Sequence, residues 1–186
     1  MANKAQSAAQ AEPHEEDEDT QKDKYLTFHL GSEDYGIEIR FVTEIIGIQK
    51  ITVIPEMPEH IKGVINLRGK IIPVMDVRMR FHLPARAYDE RTCVIVVDMN
   101  SSEVGLVVDT VSEVVDIPEA NIEAASGLGR SKANAFIRGI GKIGEDIKII
   151  LDVSALLHEQ DWNAASSQET ADATSTASEP SVQARA

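Results

Sequence analysis

The sequence predicts a mostly β protein, in which two small related β-barrels carry short helices and are flanked by disordered ends. Three observations support this fold class. Short apolar runs alternate with glycine-containing and acidic turns, which is typical of barrels and sandwiches. Two stretches of the chain recur later in the same order at nearly the same offset. Aromatic residues make up only 4% of the 186 residues, which suits barrels packed with Ile and Val.

The acidic residues are concentrated at the start of the chain, whose formal net charge is -13. Residues 1–23 hold seven acidic and two basic residues and almost no bulky apolar side chain, which predicts a disordered acidic arm. We expect this arm to aid solubility, and a specific basic partner is the alternative. Residues 161–186 are rich in Ala, Ser and Thr, which predicts a disordered tail.

The composition excludes several classes of partner. An acidic chain without a basic patch is a poor ligand for nucleic acid or for an anionic membrane surface. No apolar run is long enough to span a membrane, so direct membrane insertion is not expected. The first ten residues lack the apolar stretch of a secretory signal, and Cys93 is the only cysteine, so we expect a cytoplasmic location.

The first predicted barrel spans about residues 24–83. The alternating run KYLTFHL at 24–30 predicts a half-buried strand. An acidic turn at 32–34 leads into YGIEI at 35–39, a second alternating run. These elements together predict that the barrel opens with a β-hairpin.

The second predicted barrel spans about residues 91–152. It opens with TCVIVVD at 92–98, a continuous apolar run typical of a strand that is buried on both faces. The residues SSE at 101–103 then turn the chain into VGLVV. A short C-terminal helix is expected at about 153–160.

An internal repeat is the strongest pattern in the sequence. YGIEIRFVTEIIGI at 35–48 aligns with VGLVVDTVSEVVDI at 104–117, 69 residues later. IKGVINLRGKIIPVMDV at 61–77 aligns with IRGIGKIGEDIKIILDV at 137–153, 76 residues later. Because a unit of this size buries only a marginal core, we expect the two units to pack on each other, an arrangement that also allows exchange of a terminal strand. The seam between them would be a natural binding groove.

Each copy ends in a short helical signal that begins with an aspartate. Asp76 opens DVRMRFHL and Asp152 opens DVSALLHE. Aspartate is a preferred N-cap residue, because its carboxylate accepts bonds from the first free backbone N–H groups of a helix. Both aspartates are therefore predicted caps.

Residue patterns for catalysis or metal binding are not found. The five histidines lie far apart without cysteine or carboxylate at ligand spacing, and Cys93 opens an apolar strand like a small core residue. Gly139, Gly141 and Gly144 match the dinucleotide fingerprint, but two acidic residues and a strand-like run follow instead of a helix. We therefore expect no cofactor and no enzymatic activity, with a nucleotide-binding enzyme as the remote alternative.

The two copies differ at one hairpin, where NLRG at 66–69 stands against KIGE at 142–145. Asn66 and Gly69 are typical turn residues. Arg68 is then either a merely exposed turn residue or a charged contact at an interface, since its planar fork suits carboxylates. Glu44 is a candidate carboxylate, within the protein or near the same surface.

Apolar residues around Glu44 are expected to be mostly core, although at least one could line an exposed groove that a partner helix fills. In the first copy they are Val42, Ile45, Ile46 and Ile48. In the second copy the same ambiguity applies to Val107, Val108, Val111 and Val114.

The stretch GVINLRGKIIPVMDVRMRF at 63–81 resembles the signature of the CheW family of bacterial chemotaxis coupling proteins. Its specific part is the pattern NLRGK-I-[IV]-P-[IV]-x-D. The resemblance continues in order and spacing through YGIEIRFVTEIIG, ITVIPEMPEHIKG, VGLVVDTVSEV and DIKIILDVSALL. It therefore covers about residues 24–160.

This resemblance implies two SH3-like five-stranded barrels and a non-enzymatic adaptor in chemotaxis signal transduction. Adaptors of this family bind the cytoplasmic tips of chemoreceptors, the methyl-accepting chemotaxis proteins. They also bind the regulatory domain of the histidine kinase CheA, and so join receptors to a two-component system within membrane-associated arrays. A coupling protein of a parallel chemosensory pathway with another output would share the resemblance.

The resemblance also implies the residues that bind partners. Arg68 and Glu44 match family positions important for coupling, whereas Val42 and Gly63 match positions linked to receptor contact. Val108 lies in the matching segment of the second barrel and is carried over with them. Kinase contact is expected at the end of the second barrel, at residues that the sequence does not fix.

Overall fold

The computed structural model describes residues 20–99, 102–125 and 133–157. Within them the chain is mostly strand, with two short α-helices and 3-10 turns at Ile39–Phe41, Glu119–Asn121 and Ala133–Phe136. In chain order the elements are β1 (Lys24–Leu30), β2 (Glu33–Glu38), β3 (Val42–Gly47), β4 (Ile61–Leu67), β5 (Lys70–Asp76), α1 (Val77–Arg80), β6 (Cys93–Met99), β7 (Ser102–Val108), β8 (Thr110–Asp116), β9 (Ile122–Ala124), β10 (Ile137–Ile143), β11 (Asp146–Leu151) and α2 (Val153–Leu156). The predicted arm lies outside the described residues except for its last four positions, and the predicted tail lies wholly outside them.

The strands form two sheets of matching order, which we call the five-stranded and the six-stranded barrel. The five-stranded barrel runs β3–β6–β7–β5–β4. The six-stranded barrel runs β8–β1–β2–β11–β10, with the short β9 added at its edge. Strands that the repeat makes equivalent occupy equivalent places, so the predicted duplication and the mostly β fold class are confirmed.

The two repeats exchange their opening hairpins. The β1–β2 hairpin of the first repeat lies between β8 and β11 of the second, where Tyr25 pairs with Val115 and Tyr35 with Ile149. The β6–β7 hairpin lies in the same way between β3 and β5. The exchange thus involves a whole hairpin in each direction rather than a terminal strand. The expected ranges 24–83 and 91–152 therefore describe the repeats in sequence, while each sheet draws on both.

Three apolar clusters follow from this arrangement. The largest lies between the barrels, where the exchanged hairpins face each other, and we call that surface the seam. It includes Leu26, Phe28, Leu30, Tyr35 and Ile37 from β1–β2, and Ile95, Val97, Val104, Leu106 and Val108 from β6–β7. Ile65, Ile72, Val74, Val94, Val96 and Val107 fill the five-stranded barrel, and Tyr25, Ile117 and Ile150 fill the six-stranded one. Since the largest cluster is shared, the two barrels form one packed body.

Both predicted helix caps are confirmed. An Asp76 carboxylate oxygen accepts from the backbone N–H of Met79 at 3.2 Å, and Asp152 accepts from that of Ala155 at 3.0 Å. Each cap begins a helix of only one turn, because α1 ends at Arg80 and α2 at Leu156. The end of the expected C-terminal helix, residues 158–160, lies outside the described residues.

Candidate partner-binding site

The β4–β5 hairpin is closed by a two-residue turn at Arg68 and Gly69. Their φ angles are +52° and +87°, so both occupy the left-handed region that a type I′ turn requires. The Asn66 side-chain oxygen accepts from the Gly69 N–H at 2.9 Å and secures the turn. The turn roles predicted for Asn66 and Gly69 are therefore confirmed.

Arg68 and Glu44 come together across the five-stranded barrel. Arg68 Nη2 lies 2.6 Å from Glu44 Oε1, with side chains that are 77% and 26% exposed. An exposed ion pair of this kind contributes about 0–1 kcal/mol to folding. Its main effect is to organise the surface, because Arg68 retains donors that a partner's carboxylate can reach.

Glu44 stands on β3, an edge strand whose side chains alternate in burial. Ile46 packs with the core of the five-stranded barrel, and Val42 is half-buried against the seam cluster. Ile45 points outward and is 43% exposed. Of the apolar residues predicted around Glu44, Ile45 is therefore the one most available to a partner.

Gly63 is a structural glycine of β4 that allows the segment at Thr52 to approach closely. Its φ is +132°, and a Cβ placed there would lie 2.0 Å from the carbonyl oxygen of Thr52. Thr52 and Val64 exchange two backbone hydrogen bonds of 2.8 and 2.9 Å beside it. Any partner contact predicted for Gly63 would therefore depend on how it seats the segment at Thr52.

Val108 occupies a different environment from the other predicted site residues. It is 1% exposed and belongs to the seam cluster. Arg68 and Glu44 are in contact at the surface and Val42 precedes Glu44 by two residues on β3, whereas Val108 lies inside the protein. Its predicted role would therefore have to act through packing between the barrels.

Two apolar positions are exposed in both copies of the repeat; sequence reasoning left one of them, Ile45 and Val114, open between core and groove and missed the other, Ile71 and Ile147. Ile45 and Ile71 lie on the five-stranded barrel, and their repeat equivalents Val114 and Ile147 lie on the six-stranded one. Ile71 and Ile147 are 64% and 60% exposed, and Val114 is 48% exposed. We call the two exposed residues Ile45 and Ile71, on the non-adjacent strands β3 and β5, the first patch, and Val114 and Ile147, on β8 and β11, the second patch. The available signal was that both copies retain an apolar residue where strand alternation directs the side chain outward.

The charges beside the two patches differ. Lys70 begins β5 directly before Ile71, and Arg68 lies in the preceding turn. Both basic side chains are paired, Lys70 Nζ with Glu103 at 3.0 Å and Arg68 with Glu44. Around the second patch the exposed neighbours in sequence are mainly acidic: Glu113, Asp116, Glu145 and Asp146. The same scaffold thus presents two apolar surfaces in unlike electrostatic settings.

The glycines that match the dinucleotide fingerprint belong to a β-hairpin. Gly139 and Gly141 lie within β10, and Gly144 is in the turn to β11 with φ +60°. A strand follows Gly144, so the helix N-terminus that would hold a pyrophosphate is not there. In the part of the chain that the structure describes, no cluster of His, Cys, Asp and Glu is arranged for a metal ion. No helix among these residues is long and apolar enough to cross a membrane.

Comparisons with known proteins match the region that forms both barrels. A family model described as a CheW-like domain matches residues 24–161. The chain is 40% identical over 138 residues to the chemotaxis protein CheW of Klebsiella aerogenes, covering 74% of this chain and 83% of that protein. Identity to the chemotaxis protein CheW of Bacillus subtilis is 32% over 143 residues, covering 77% and 92%. The crystal structure of the scaffolding protein TtCheW from Thermoanaerobacter tengcongensis aligns with a TM-score of 0.67 and 40% identity, covering 72% of this chain and 91% of that one.

Proposed function

Because the chain belongs to the CheW family, we propose that it is the adaptor that couples chemoreceptors to the histidine kinase CheA and scaffolds receptor arrays. Family membership makes it a non-enzymatic signalling protein. Its partners are the cytoplasmic tips of chemoreceptors and the regulatory domain of the kinase. It works in the cytoplasm and is recruited to arrays at the membrane through those partners.

The exposed Arg68–Glu44 pair is the observation that carries this proposal. The turn holds Arg68 in a left-handed conformation that a non-glycine residue adopts at a cost. The ion pair offsets little of that cost, because Arg68 is 77% exposed. Binding to a partner explains a strained, exposed arginine in the β4–β5 turn better than a contribution to stability does. This supports a protein–protein contact at the position that the family resemblance assigns to coupling.

The two patches support a protein that holds two partners at once. Each patch offers apolar area on a different barrel, and neither needs to move for the other to bind. The surrounding charges are mixed at the first patch and mainly acidic at the second, which favours different partners, because like charges across an interface are costly. An adaptor between a receptor and a kinase requires two such unequal surfaces.

The shared seam gives the adaptor a route between its two surfaces. Partner binding that favours one arrangement of the barrels changes the affinity of the other surface by the same factor. The seam cluster contains residues from both exchanged hairpins, so a shift on one barrel is felt by the other. In this mechanism the adaptor transmits a receptor state to the kinase by shifting populations.

Arg68→Glu in a reconstitution of receptor, adaptor and kinase tests the proposal. We expect receptor-controlled kinase activity to fall by about tenfold or more, because the reversed charge faces a partner carboxylate and Glu44. The matched control is Arg91→Glu, the same charge reversal at an exposed arginine of the segment between α1 and β6, which belongs to neither patch. The control should retain coupling through the Arg68 surface.

Both variants should keep the wild-type fold, since the altered side chains are exposed. Far-ultraviolet circular dichroism and thermal unfolding check this before the reconstitution. Normal assembly and kinase control with Arg68→Glu would remove Arg68 from the coupling surface. Loss of coupling with both variants would show a general charge effect instead of a site.

A further inference from the structure

A buried polar cluster joins the two barrels at one end of the seam. Asp109 is the single residue between β7 of the five-stranded barrel and β8 of the six-stranded barrel, and it is 7% exposed. Its Oδ2 atom accepts from Arg78 Nη1 at 2.5 Å and from the backbone N–H of Gly31 at 2.8 Å. Arg78 belongs to α1 behind the five-stranded barrel, whereas Gly31 forms the turn between β1 and β2 of the six-stranded barrel. One carboxylate therefore binds both barrels.

The same cluster holds the segment that connects the two repeats. Arg78 Nε donates to the carbonyl oxygen of Pro84 at 3.1 Å, and Arg86 Nη1 lies 3.6 Å from Asp109 Oδ2. The Asp109 N–H donates to the carbonyl oxygen of His29 at 3.2 Å. The cluster thus fixes four elements at one point: the crossover at Asp109, the helix α1, the turn between β1 and β2, and the segment that follows α1. We call the Asp109–Arg78 contact the lock.

The repeat places different residues at the other end of the seam. The position equivalent to Asp109 is Arg40, at the crossover from β2 to β3, and that equivalent to Arg78 is Ser154. Arg40 is 60% exposed and pairs with Glu38, two residues earlier, at 2.6 Å. This contact is local and on the surface, so it does not join the barrels as the lock does.

The difference between the two ends matters because the seam itself is apolar. Hydrophobic burial is non-directional and tolerates small sliding of one packed face on another. A charge-assisted hydrogen bond instead requires a short distance and a defined direction, and breaking it leaves a buried charge. The lock therefore fixes an orientation that the apolar cluster alone does not.

We infer that Asp109 and Arg78 are positioning residues that form a pivot, about which the two barrels change their relative angle while the Arg40 end moves. This inference rests on the proposed function only for its purpose, which is to direct how a receptor state reaches the kinase. The pivot itself is a property of the isolated chain. Its failure and the failure of the proposed function can therefore be distinguished.

Spin labels on the two barrels measure the pivot directly. Cysteines replace the exposed Lys50 and Glu145, with Cys93→Ser to remove the native thiol. Pulsed electron–electron double resonance on the full chain then gives the distribution of distances between the two labels. We expect Asp109→Asn to shift or widen that distribution by about 1–2 Å or more, the scale of sliding between packed elements. The matched control Arg40→Gln, at the equivalent crossover, should leave it unchanged.

Stability must be separated from positioning in this experiment. Urea unfolding of each variant gives its loss of stability, while the distances report folded molecules alone. If Asp109→Asn lowers stability but leaves the distance distribution as in the wild type, the lock is only a structural ion pair. An equal change in Arg40→Gln would also overturn the pivot. Should Asp109→Asn fail to fold, Arg78→Lys, which retains the charge without the donor to Pro84, is held to the same two outcomes.

Discussion

The five-stranded and six-stranded barrels have the same strand order and the same cap, yet their hairpin turns differ. In the five-stranded barrel both turn residues, Arg68 and Gly69, are left-handed. In the six-stranded barrel the turn residues are Gly144 and Glu145, and only Gly144 is left-handed. The first turn therefore has an arginine at a left-handed position where the second turn has the glycine Gly144. Duplication supplies the scaffold, and the positions where it is broken indicate where the two barrels do different work.

The patches show the same contrast in charge. Apolar residues remain exposed at equivalent positions of both barrels, but basic residues accompany Ile71 and acidic residues accompany Ile147. A stable barrel needs neither feature, since exposed apolar side chains add nothing to its core. The comparison therefore separates what the fold requires from what binding requires.

Gly63→Ala should cause the largest loss of stability, because it alters a glycine bulge that both barrels share. Both barrels bulge at a glycine, Gly63 and Gly139, where strand register shifts. A Cβ would lie 2.0 Å from Thr52 O at Gly63 and 2.6 Å from Glu123 O at Gly139, and Gly63 alone has a positive φ. We expect Gly63→Ala to lower the free energy of unfolding by about 3–5 kcal/mol, measured in urea.

Gly139→Ala is the matched variant, and its cost should be smaller because its backbone conformation accepts a side chain. Equal losses for both variants would mean that the close approach dominates and that backbone strain contributes nothing. A stable Gly63→Ala protein would show that the segment at Thr52 moves away easily.

The two helix caps should contribute unequally to stability, and removing either should have an effect of intermediate size. Asp76 is buried and bonds both the Met79 N–H and, at 2.8 Å, the hydroxyl of Tyr88. Asp152 is exposed and caps Ala155 alone. We expect Asp76→Ala to cost about 2–3 kcal/mol and Asp152→Ala about 1 kcal/mol in urea unfolding. The reverse order would show that burial and the Tyr88 hydrogen bond add nothing to the stability that Asp76 contributes.

The stability of the protein at acid pH should depend in part on the Asp34 ion pair of the six-stranded barrel. Burial raises the pKa of Asp34, but hydrogen bonds and charges from Lys148 and His29 outweigh it and hold that pKa below the ordinary value of an aspartate. A lowered carboxyl pKa stabilises the fold above its unfolded value, and that contribution is lost as pH falls through the native pKa. Asp34→Asn should therefore flatten the fall in unfolding free energy between about pH 5 and pH 3. Parallel curves for variant and wild type would exclude this pair as a source of acid sensitivity.

Much of the fold could be predicted from local sequence. The strand at 24–30, the two aspartate caps and the duplicated order all depend on residues near one another in the chain. The hairpin exchange could not be predicted in this way. Whether β1 pairs with β8 or with β3 depends on contacts between distant segments, and both strands offer similar alternating patterns.

The candidate site was predictable to a similar extent. Arg68 and Glu44 could be singled out, because the repeat lacks an arginine at the equivalent hairpin, and the structure places them in contact. The exposure of Ile71 and the burial of Val108 could not be read from composition, since both are aliphatic residues in strands. The lock was hidden for another reason, as Arg78 and Asp109 meet only after the hairpins exchange.

Binding of the two partners to patch variants tests the central claim most directly. Ile71→Glu alters the first patch and Ile147→Lys the second, and both positions are exposed enough to spare the core. Calorimetry with a receptor-tip fragment and with the kinase regulatory domain should show that each variant loses one partner, by about tenfold or more in affinity, and retains the other. If either variant loses both partners, or if both variants bind both partners as the wild type does, the two barrels do not carry two separate binding surfaces.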